Sequence, residues 1–215
     1  MVRINIGCAH TPTPGWLNFD NSLSVRIGKY LGFAQLLSQL GLITESQLAL
    51  ARVAAARKIV WADAVRRIPL PNASVSVAYS SHVLEHLDRV ETRRFLAEVR
   101  RVLVPGGVFR LAVPDLAKIA RAYVDGHIDA DGLVAATHLA DEGSYRGLLS
   151  TLRFLLVGSR CHKWMYDRRT VVHLLETSSF REVVELPAGA TTIPDPGELN
   201  LREREDESIY VEARR

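Results

Sequence analysis

Residues 75–87 read Val-Ser-Val-Ala-Tyr-Ser-Ser-His-Val-Leu-Glu-His-Leu, and residues 104–114 read Val-Pro-Gly-Gly-Val-Phe-Arg-Leu-Ala-Val-Pro. The first stretch is typical of a buried strand followed by a polar loop. The second is typical of a Pro-Gly-Gly turn followed by another buried strand. Between them, apolar residues recur at helical spacing over residues 89–104, which predicts an amphipathic helix. A strand, a helix and a second strand in this order predict two parallel neighbouring strands.

The remaining sequence extends this alternation along the chain. Strands are predicted at residues 2–6, 16–19, 58–63, 74–80, 108–113, 180–186 and 208–213. The pattern favours an α/β fold, namely a doubly wound, Rossmann-like and mostly parallel sheet with an antiparallel C-terminal strand and a helical cap insertion. We expect a single domain over residues 1–215, with a helical insertion at 22–57 and the helical cap at 115–160.

Two connections in this predicted fold are unusual. The first two strands are separated by only about ten residues, which is too few for an ordinary crossover helix between parallel strands. Either a very short helical turn or an irregular loop containing Pro12 and Pro14 must make that connection. Residues 187–207, which are Pro-rich and then highly charged, are predicted to form a long exposed loop.

Composition limits the classes of partner. The 27 basic and 24 acidic residues are interleaved and give a net charge of only +3, which does not favour nucleic acid. No apolar run approaches the length of a membrane span, and no signal peptide precedes the first strand. The two cysteines, Cys8 and Cys161, cannot form a disulfide framework, and no Cys/His spacing fits zinc. We therefore expect a cytoplasmic protein without a metal, nucleic-acid or membrane partner. Leucine-rich helices at 31–56 and 133–157 would allow a homodimer.

Small and polar residues stand at the ends of the predicted strands. Gly7 follows the first strand, Asp20 ends the second, Asp63 ends the third and Ser80 ends the fourth. Since the carboxyl ends of parallel strands share one edge of the sheet, and ligands bind beyond that edge, these residues predict a binding cleft.

Four segments resemble the class I S-adenosylmethionine-dependent methyltransferases of the type 11 group. The family opens with a hydrophobic strand and Gly-Cys-Gly, where this chain has Ile-Asn-Ile-Gly-Cys-Ala at residues 4–9. Leu-Pro at 70–71 with residues 75–87 is similar to the family's fourth strand and the loop after it, and residues 103–107 are similar to the turn before its fifth strand. His-Lys-Trp-Met-Tyr at 162–166, followed by Ser-Phe at 179–180, resembles one branch of the group.

This resemblance implies S-adenosylmethionine as the cofactor and assigns roles to the residues of the cleft. Backbone at Gly7, Cys8 and Ala9 would approach the amino-acid end of the cofactor. The Asp20 carboxylate would accept the ribose hydroxyls, as an acid does in dinucleotide folds. Asp63 and Ala64 are expected to contact the adenine. Ser80 and Ser81 are expected to lie beside the reactive methyl.

The chain departs from the family at Ala9, which replaces the second glycine of the opening motif. Alanine is tolerated there if the backbone φ is negative, whereas a positive φ would weaken cofactor binding. A dinucleotide-dependent hydride transfer is disfavoured, because the full Gly-x-Gly-x-x-Gly pattern is absent.

The resemblance implies transfer of a methyl group to a small-molecule or sugar-type acceptor, and a hydroxyl acceptor would need a base. His82 is the first candidate, and His162 and Tyr166 are further catalytic candidates. Weaker candidates are His10, Glu85 and His86.

Several of these residues also have a purely structural interpretation. Glu85 and His86 would then start a helix, His162 would hold the cap on the core, Asp63 would cap a turn, and Cys8 would be a small buried hydrophobe. For the whole protein, the alternatives are a non-catalytic module that keeps the fold for protein contacts, and a synthase or decarboxylase that uses the same cofactor.

Overall fold

The computed structural model describes residues 1–139 and 161–215, which form one seven-stranded sheet. Its strand order is β3-β2-β1-β4-β5-β7-β6. β1 to β5 are mutually parallel, whereas β7 is antiparallel to both of its neighbours. The predicted fold class is therefore confirmed. The strands are β1 (Val2–Ile6), β2 (Leu17–Asp20), β3 (Val60–Trp61), β4 (Val75–Ser81), β5 (Leu103–Pro114), β6 (Arg181–Leu186) and β7 (Ser208–Arg214).

Helices follow the strands as the periodicity predicts. A single 3-10 turn at Leu84–His86 precedes α4, and α4 begins with a reciprocal capping box between Asp88 and Glu91. The described helices are α1 (Leu23–Ile27), α2 (Leu31–Gln39), α3 (Glu45–Arg57), α4 (Arg89–Val102), α5 (Leu116–Val124), α6 (Ala130–Thr137) and α7 (Arg168–Thr177). None of these helices is long and apolar enough to cross a membrane.

The two helical insertions are described to different extents. α1 to α3 occupy the predicted insertion at 22–57, and Thr44 opens α3 with a capping box to Gln47. α5 and α6 lie within the predicted cap at 115–160. Residues 140–160 of that cap lie outside the described residues.

The boundary between α4 and β5 differs from the prediction. The helix ends at Val102, two residues early, and β5 begins at Leu103. The register between β4 and β5 shifts from Val75–Leu103 to Val77–Val108. The Pro-Gly-Gly residues are therefore a bulge within β5 rather than a separate turn, and Gly106 supplies the positive φ of 73° that the bulge uses.

The connection from β1 to β2 contains no helix, and side-chain amides hold it together. Asn18 accepts a hydrogen bond from the N–H of Thr13 at 2.8 Å and donates to the carbonyls of Thr13 and Trp16. Asn5 donates to the Thr13 hydroxyl at 3.0 Å. These buried amides satisfy backbone groups that a crossover helix would otherwise satisfy, which explains how so short a loop can join parallel strands.

Most residues of the loop at 187–207 are exposed as predicted, but two apolar side chains anchor the loop on one face of the sheet. Ile193 and Leu199 are buried and pack in a cluster with Trp16, Val77 and Tyr79. The Tyr79 hydroxyl donates to a carboxylate oxygen of Glu203 at 2.8 Å, although Glu203 belongs to the charged run. The sequence did not indicate this anchoring, because two apolar residues in a polar segment give no periodic signal.

Candidate functional site

Asp20 lies at the carboxyl end of β2 and is held in place by backbone hydrogen bonds. One carboxylate oxygen accepts the N–H of Ala9 at 3.0 Å, and the other accepts the N–H of Ser22 at 2.8 Å. Since each carboxylate oxygen has two lone-pair sites, both can still accept a hydroxyl. The buried hydroxyl of Ser22 has no hydrogen-bond partner among residues 1–139 and 161–215. This part of the edge fits a group that carries a diol, such as a ribose.

The loop at Gly7, Cys8 and Ala9 is turned toward β2. The N–H groups of Gly7 and Cys8 both donate to the carbonyl of Phe19, at 2.8 and 3.2 Å. Together with the bond from Ala9 to Asp20, these contacts engage all three amides within the protein. A cofactor would therefore have to contact atoms of this loop other than these three N–H groups.

Ala9 has the positive φ, 40°, that the sequence analysis identified as the unfavourable case. The position is one where glycine would be unstrained, and an alanine side chain costs free energy there. Cys8 is buried, and burial raises the pKa of its thiol far above the ordinary range. This burial supports the interpretation of Cys8 as a small core residue.

Two features of position 7 favour glycine, namely its φ of 73° and its close contact with a neighbouring loop. A Cβ at this position would come within 2.2 Å of Cγ2 of Val83, in the loop after β4. The side chain of Val83 thus occupies the space beside Gly7 in which the sequence predicted close approach of the cofactor. The glycine lets two neighbouring loops of the edge pack together.

Asp63 performs the structural role that the sequence analysis left open. Its carboxylate accepts the N–H of Val65 at 3.1 Å and lies 3.3 Å from Nε of Arg66. Ala64 is buried in the core below it. Asp63 and Ala64 lie at the same edge of the sheet as Asp20, because the N–H of the preceding Ala62 donates to the Asp20 carbonyl. Their contact with adenine stays a prediction.

The two serines at the end of β4 differ in position. Ser80 is fully buried, and its hydroxyl donates to the carbonyl of Ile6 at 3.1 Å, which ties β4 to β1. The side chain of Ser80 is thus engaged inside the sheet, and its position beside a reactive methyl stays a prediction. The Ser81 hydroxyl is buried without a hydrogen-bond partner in the described part of the chain.

His82 is held by partners on both ring nitrogens. Nδ1 lies 3.0 Å from a carboxylate oxygen of Glu85, and Nε2 lies 2.9 Å from the hydroxyl of Ser208 at the start of β7. A carboxylate on one nitrogen fixes the orientation of the ring. The arrangement suits a base, provided that an acceptor hydroxyl takes the place of Ser208.

His162 belongs to a cluster of imidazoles that the sequence did not predict. Its ring centroid lies 5.0 Å from that of His86 and 5.1 Å from that of His138. Burial lowers the pKa of His162 to about 4, although the charge of Glu85 acts in the opposite direction. The imidazole is consequently neutral at neutral pH. No local motif joins these residues, since they come from three distant segments.

Tyr166 lies in the core rather than at the cleft. The residue is fully buried, and its hydroxyl lies 3.4 Å from that of Thr92 on α4. Burial raises the pKa of Tyr166. The hydroxyl contacts Thr92 and the carbonyl of Leu84 in this position, and the catalytic role of Tyr166 stays a prediction. Its backbone pairs with Asp115 and so holds the chain after the cap against the end of β5.

Comparisons with known proteins agree with this geometry. Residues 41–111 match a family model described as a methyltransferase domain, of type 11. A protein of Mycolicibacterium smegmatis (strain ATCC 700084 / mc(2)155), named for S-adenosylmethionine-dependent methyltransferase activity, is 46% identical over 48 residues. That match spans 22% of this chain and only 18% of the relative.

Solved structures resemble nearly the whole chain. A methyltransferase of Thermotoga maritima that depends on S-adenosylmethionine has a TM-score of 0.51 at 14% identity, covering 99% of this chain and 81% of the other. A second such methyltransferase, from Mesorhizobium loti, has a TM-score of 0.48 at 19% identity, covering 100% of this chain and 90% of the other. At such identities the Thermotoga likeness shows a shared fold.

The sheet order and the acid at the end of β2 define an α/β domain built to bind a nucleoside-type cofactor. With the methyltransferase domain matched at residues 41–111, they support the resemblance to the class I S-adenosylmethionine-dependent methyltransferases. S-Adenosylmethionine is the cofactor of this family, and the Asp20 carboxylate with the unpaired Ser22 hydroxyl fits its ribose.

Proposed function

We propose that this protein transfers a methyl group to a hydroxyl of a small-molecule acceptor, sugar-type compounds included. The observation that carries the proposal is that two functional groups share one edge of the sheet. The buried Asp20 carboxylate ends β2, and the His82 imidazole, oriented by Glu85, follows β4. The first suits recognition of the cofactor and the second suits deprotonation of an acceptor.

The bound cofactor supplies an electrophilic methyl group on a sulfonium. Asp20 would bind the ribose hydroxyls, and Asp63 with Ala64 would border the adenine. The acceptor hydroxyl would replace Ser208 at Nε2 of His82, and that nitrogen would take the hydroxyl proton while the acceptor oxygen receives the methyl group. Glu85 stabilises the resulting imidazolium at Nδ1. Alignment of the two reactants contributes much of the rate, because a displacement at a methyl group needs an in-line approach.

The acceptor class and the partners follow from charge and from the surface. Basic and acidic residues are nearly balanced, at 27 and 24, so we propose neither nucleic acid nor membrane as a partner. The helical cap at 115–160 would shape the acceptor site, and the cytoplasm is the proposed location. Exposed apolar side chains on and beside α2, including Tyr30, Phe33 and Leu40, would form the contact of a homodimer.

Two observations favour a second candidate function, a non-catalytic module with the methyltransferase fold. Ala9 has a positive φ where the family has glycine, and Val83 fills the space beside Gly7. Both features reduce the room and the flexibility at the amino-acid end of the cofactor site. A protein of this kind would keep the fold and use its surface to bind other proteins.

Calorimetric titration with S-adenosylmethionine separates the two candidates. We expect saturable binding to the wild-type protein and at least tenfold weaker binding to Asp20→Asn, since one acceptor of the ribose hydroxyls becomes an amide. Asp206→Asn, which changes an exposed acid on the 187–207 loop, should bind as the wild type does. Absence of binding at millimolar cofactor would favour the non-catalytic module.

The acceptor is identified by release of S-adenosylhomocysteine with pools of sugars, small alcohols, peptides and oligonucleotides. We expect turnover with a small hydroxyl compound and a methylated product by mass spectrometry. A product that contains no added methyl would instead support a synthase or decarboxylase. His82→Gln should lower kcat by about 10²- to 10⁴-fold and leave cofactor binding unchanged, as loss of a general base does. Unchanged kcat would refute the role of His82.

A further inference from the structure

Glu85, His86 and His162 converge beside the end of β4, outside the residues assigned to the cofactor. One ligand atom of each side chain lies within 4.8 Å of those of the other two, and Glu85 and His162 are buried. Glu85 and His86 belong to the 3-10 turn, whereas His162 lies in the segment before α7. The two segments are joined by backbone hydrogen bonds from Lys163 and Trp164 to the Glu85 carbonyl, at 2.7 and 3.1 Å. The convergence is therefore built into the fold.

Glu85 has one carboxylate oxygen that the described protein does not satisfy. Oε1 is bound to His82, but Oε2 is buried without a hydrogen-bond partner among residues 1–139 and 161–215. The Glu85 residue is 0% exposed. An unpaired buried carboxylate oxygen costs free energy that a bound cation would remove.

The surroundings of the two histidines match those of metal ligands. Nδ1 of His86 lies 3.4 Å from the carbonyl of Cys161, which leaves Nε2 for a metal ion. A ligating histidine ordinarily donates its second ring N–H to a carbonyl or carboxylate in this way. Nδ1 of His162 lies 3.4 Å from the thioether sulfur of Met165, which is only a weak acceptor. Glu85 itself receives the orienting contact from His82.

We propose that Glu85, His86 and His162 form a binding site for a divalent transition-metal ion of the Zn²⁺ class. Two imidazoles and one carboxylate are a ligand set of catalytic zinc sites and of other first-row metals. Tetrahedral Zn²⁺ needs its ligand atoms about 3.4 Å apart, so the three side chains close by up to roughly 1.4 Å on binding. The fourth position would be taken by His138, whose ring centroid lies 5.1 Å from that of His162, or by a water molecule.

The bound ion would join the loop after β4 to the segment before α7. Because Glu85 also orients His82, the ion would lie next to the proposed base. The site does not rest on the proposed function, since its ligands and its test concern metal binding alone.

The test is a titration of the full chain, stripped with a chelator and dialysed, with Zn²⁺ and separately with Co²⁺. We expect one ion per chain and a visible Co²⁺ spectrum of four- or five-coordinate character. Saturation with Zn²⁺ should raise Tm by roughly 5 °C or more. Glu85→Gln, His86→Gln and His162→Gln should each weaken binding at least tenfold, whereas His127→Gln, which changes an exposed histidine, should not.

Two results would overturn the proposal: no saturable binding by the wild-type chain, or unchanged binding in both Glu85→Gln and His162→Gln. If the variants fail to fold, as judged by circular dichroism, X-ray absorption of the zinc-loaded wild-type protein decides. Two or three imidazoles with a carboxylate oxygen support the site, and a sulfur-containing or water-only shell refutes it.

Discussion

The Asp20 carboxylate accepts a 3.0 Å hydrogen bond from the N–H of Ala9, and this bond joins the loop after β1 to the end of β2. Ala9 makes the bond with a φ of 40°, in the left-handed region that favours glycine. The residue expected to bind ribose is thus positioned by a strained backbone. The free energy of that strain can be measured by restoring the glycine found in related proteins.

Ala9→Gly should leave the free energy of unfolding unchanged or raise it by up to about 1 kcal/mol, because glycine relieves the left-handed strain while losing more chain entropy. Ala55→Gly, at an exposed position of α3, should lower it by about 1 kcal/mol. Urea denaturation followed by circular dichroism measures both. Equal losses in the two variants would show that Ala9 is not strained.

Gly7→Ala should destabilise the protein by about 2 kcal/mol or more, because its Cβ would meet Val83 at 2.2 Å. Adding Val83→Ala to the Gly7→Ala variant should remove the clash and restore that part of the unfolding free energy. The cost of the positive φ at position 7 should remain. A double-mutant cycle on unfolding free energies should give a coupling of about 0.5–3 kcal/mol. Simple additivity would mean that the two loops do not touch.

Arg110 and Glu212 form a buried ion pair between β5 and β7, with Nη1 and Oε1 2.7 Å apart. Glu212→Ala should cost about 3–5 kcal/mol of unfolding free energy, because Arg110 would stay buried and unpaired. Replacing both, as Arg110→Met with Glu212→Leu, should cost less. Glu205→Ala, which breaks an exposed pair with Arg202, should cost less than about 1 kcal/mol. A loss of similar size at both glutamates would contradict this account.

Stability should fall in acid partly through Glu212. Burial tends to raise its pKa, but hydrogen bonds from Thr191, Thr192 and Arg110 together lower it below the ordinary 4.5. A carboxyl with a lowered folded-state pKa stabilises the protein above its unfolded pKa, and that contribution is lost as pH falls through the folded value. Urea midpoints between pH 7 and 3 should therefore converge for wild type and Glu212→Gln below about pH 4.5. A constant difference would exclude this linkage.

Leu199→Ala should cost about 2–5 kcal/mol, because this side chain is buried where the 187–207 loop packs on the sheet. Val124→Ala, at a position that is 80% exposed, should change stability by less than about 0.5 kcal/mol. Thermal and urea unfolding provide the values. A small effect at Leu199 would show that the loop is only loosely attached, as the charged sequence suggested.

Local patterns predicted the elements and their order. The block at 75–114 carries period-two and helical periodicities strong enough to give β4, α4 and β5 within a few residues, and the capping boxes of α3 and α4 depend on residues three apart. Asp20 and Asp63 were found because the carboxyl ends of parallel strands must lie at one edge. The role of His82 in the reaction and the contact of Asp63 with adenine stay predictions.

The sequence alone determined the parallel α/β fold, because periodicity, caps and strand-end acids act over short distances. Its resemblance to the methyltransferase family came from short motifs such as those at residues 75–87 and 103–107. Only the tertiary structure decided which side chains are buried and which meet. It placed the Tyr166 hydroxyl and Ser80 in the interior, and it brought His82 to Ser208 across 126 positions of the chain. It also gathered Glu85, His86 and His162 into one cluster. Contacts between distant segments depend on how whole elements pack, and no local pattern encodes that packing.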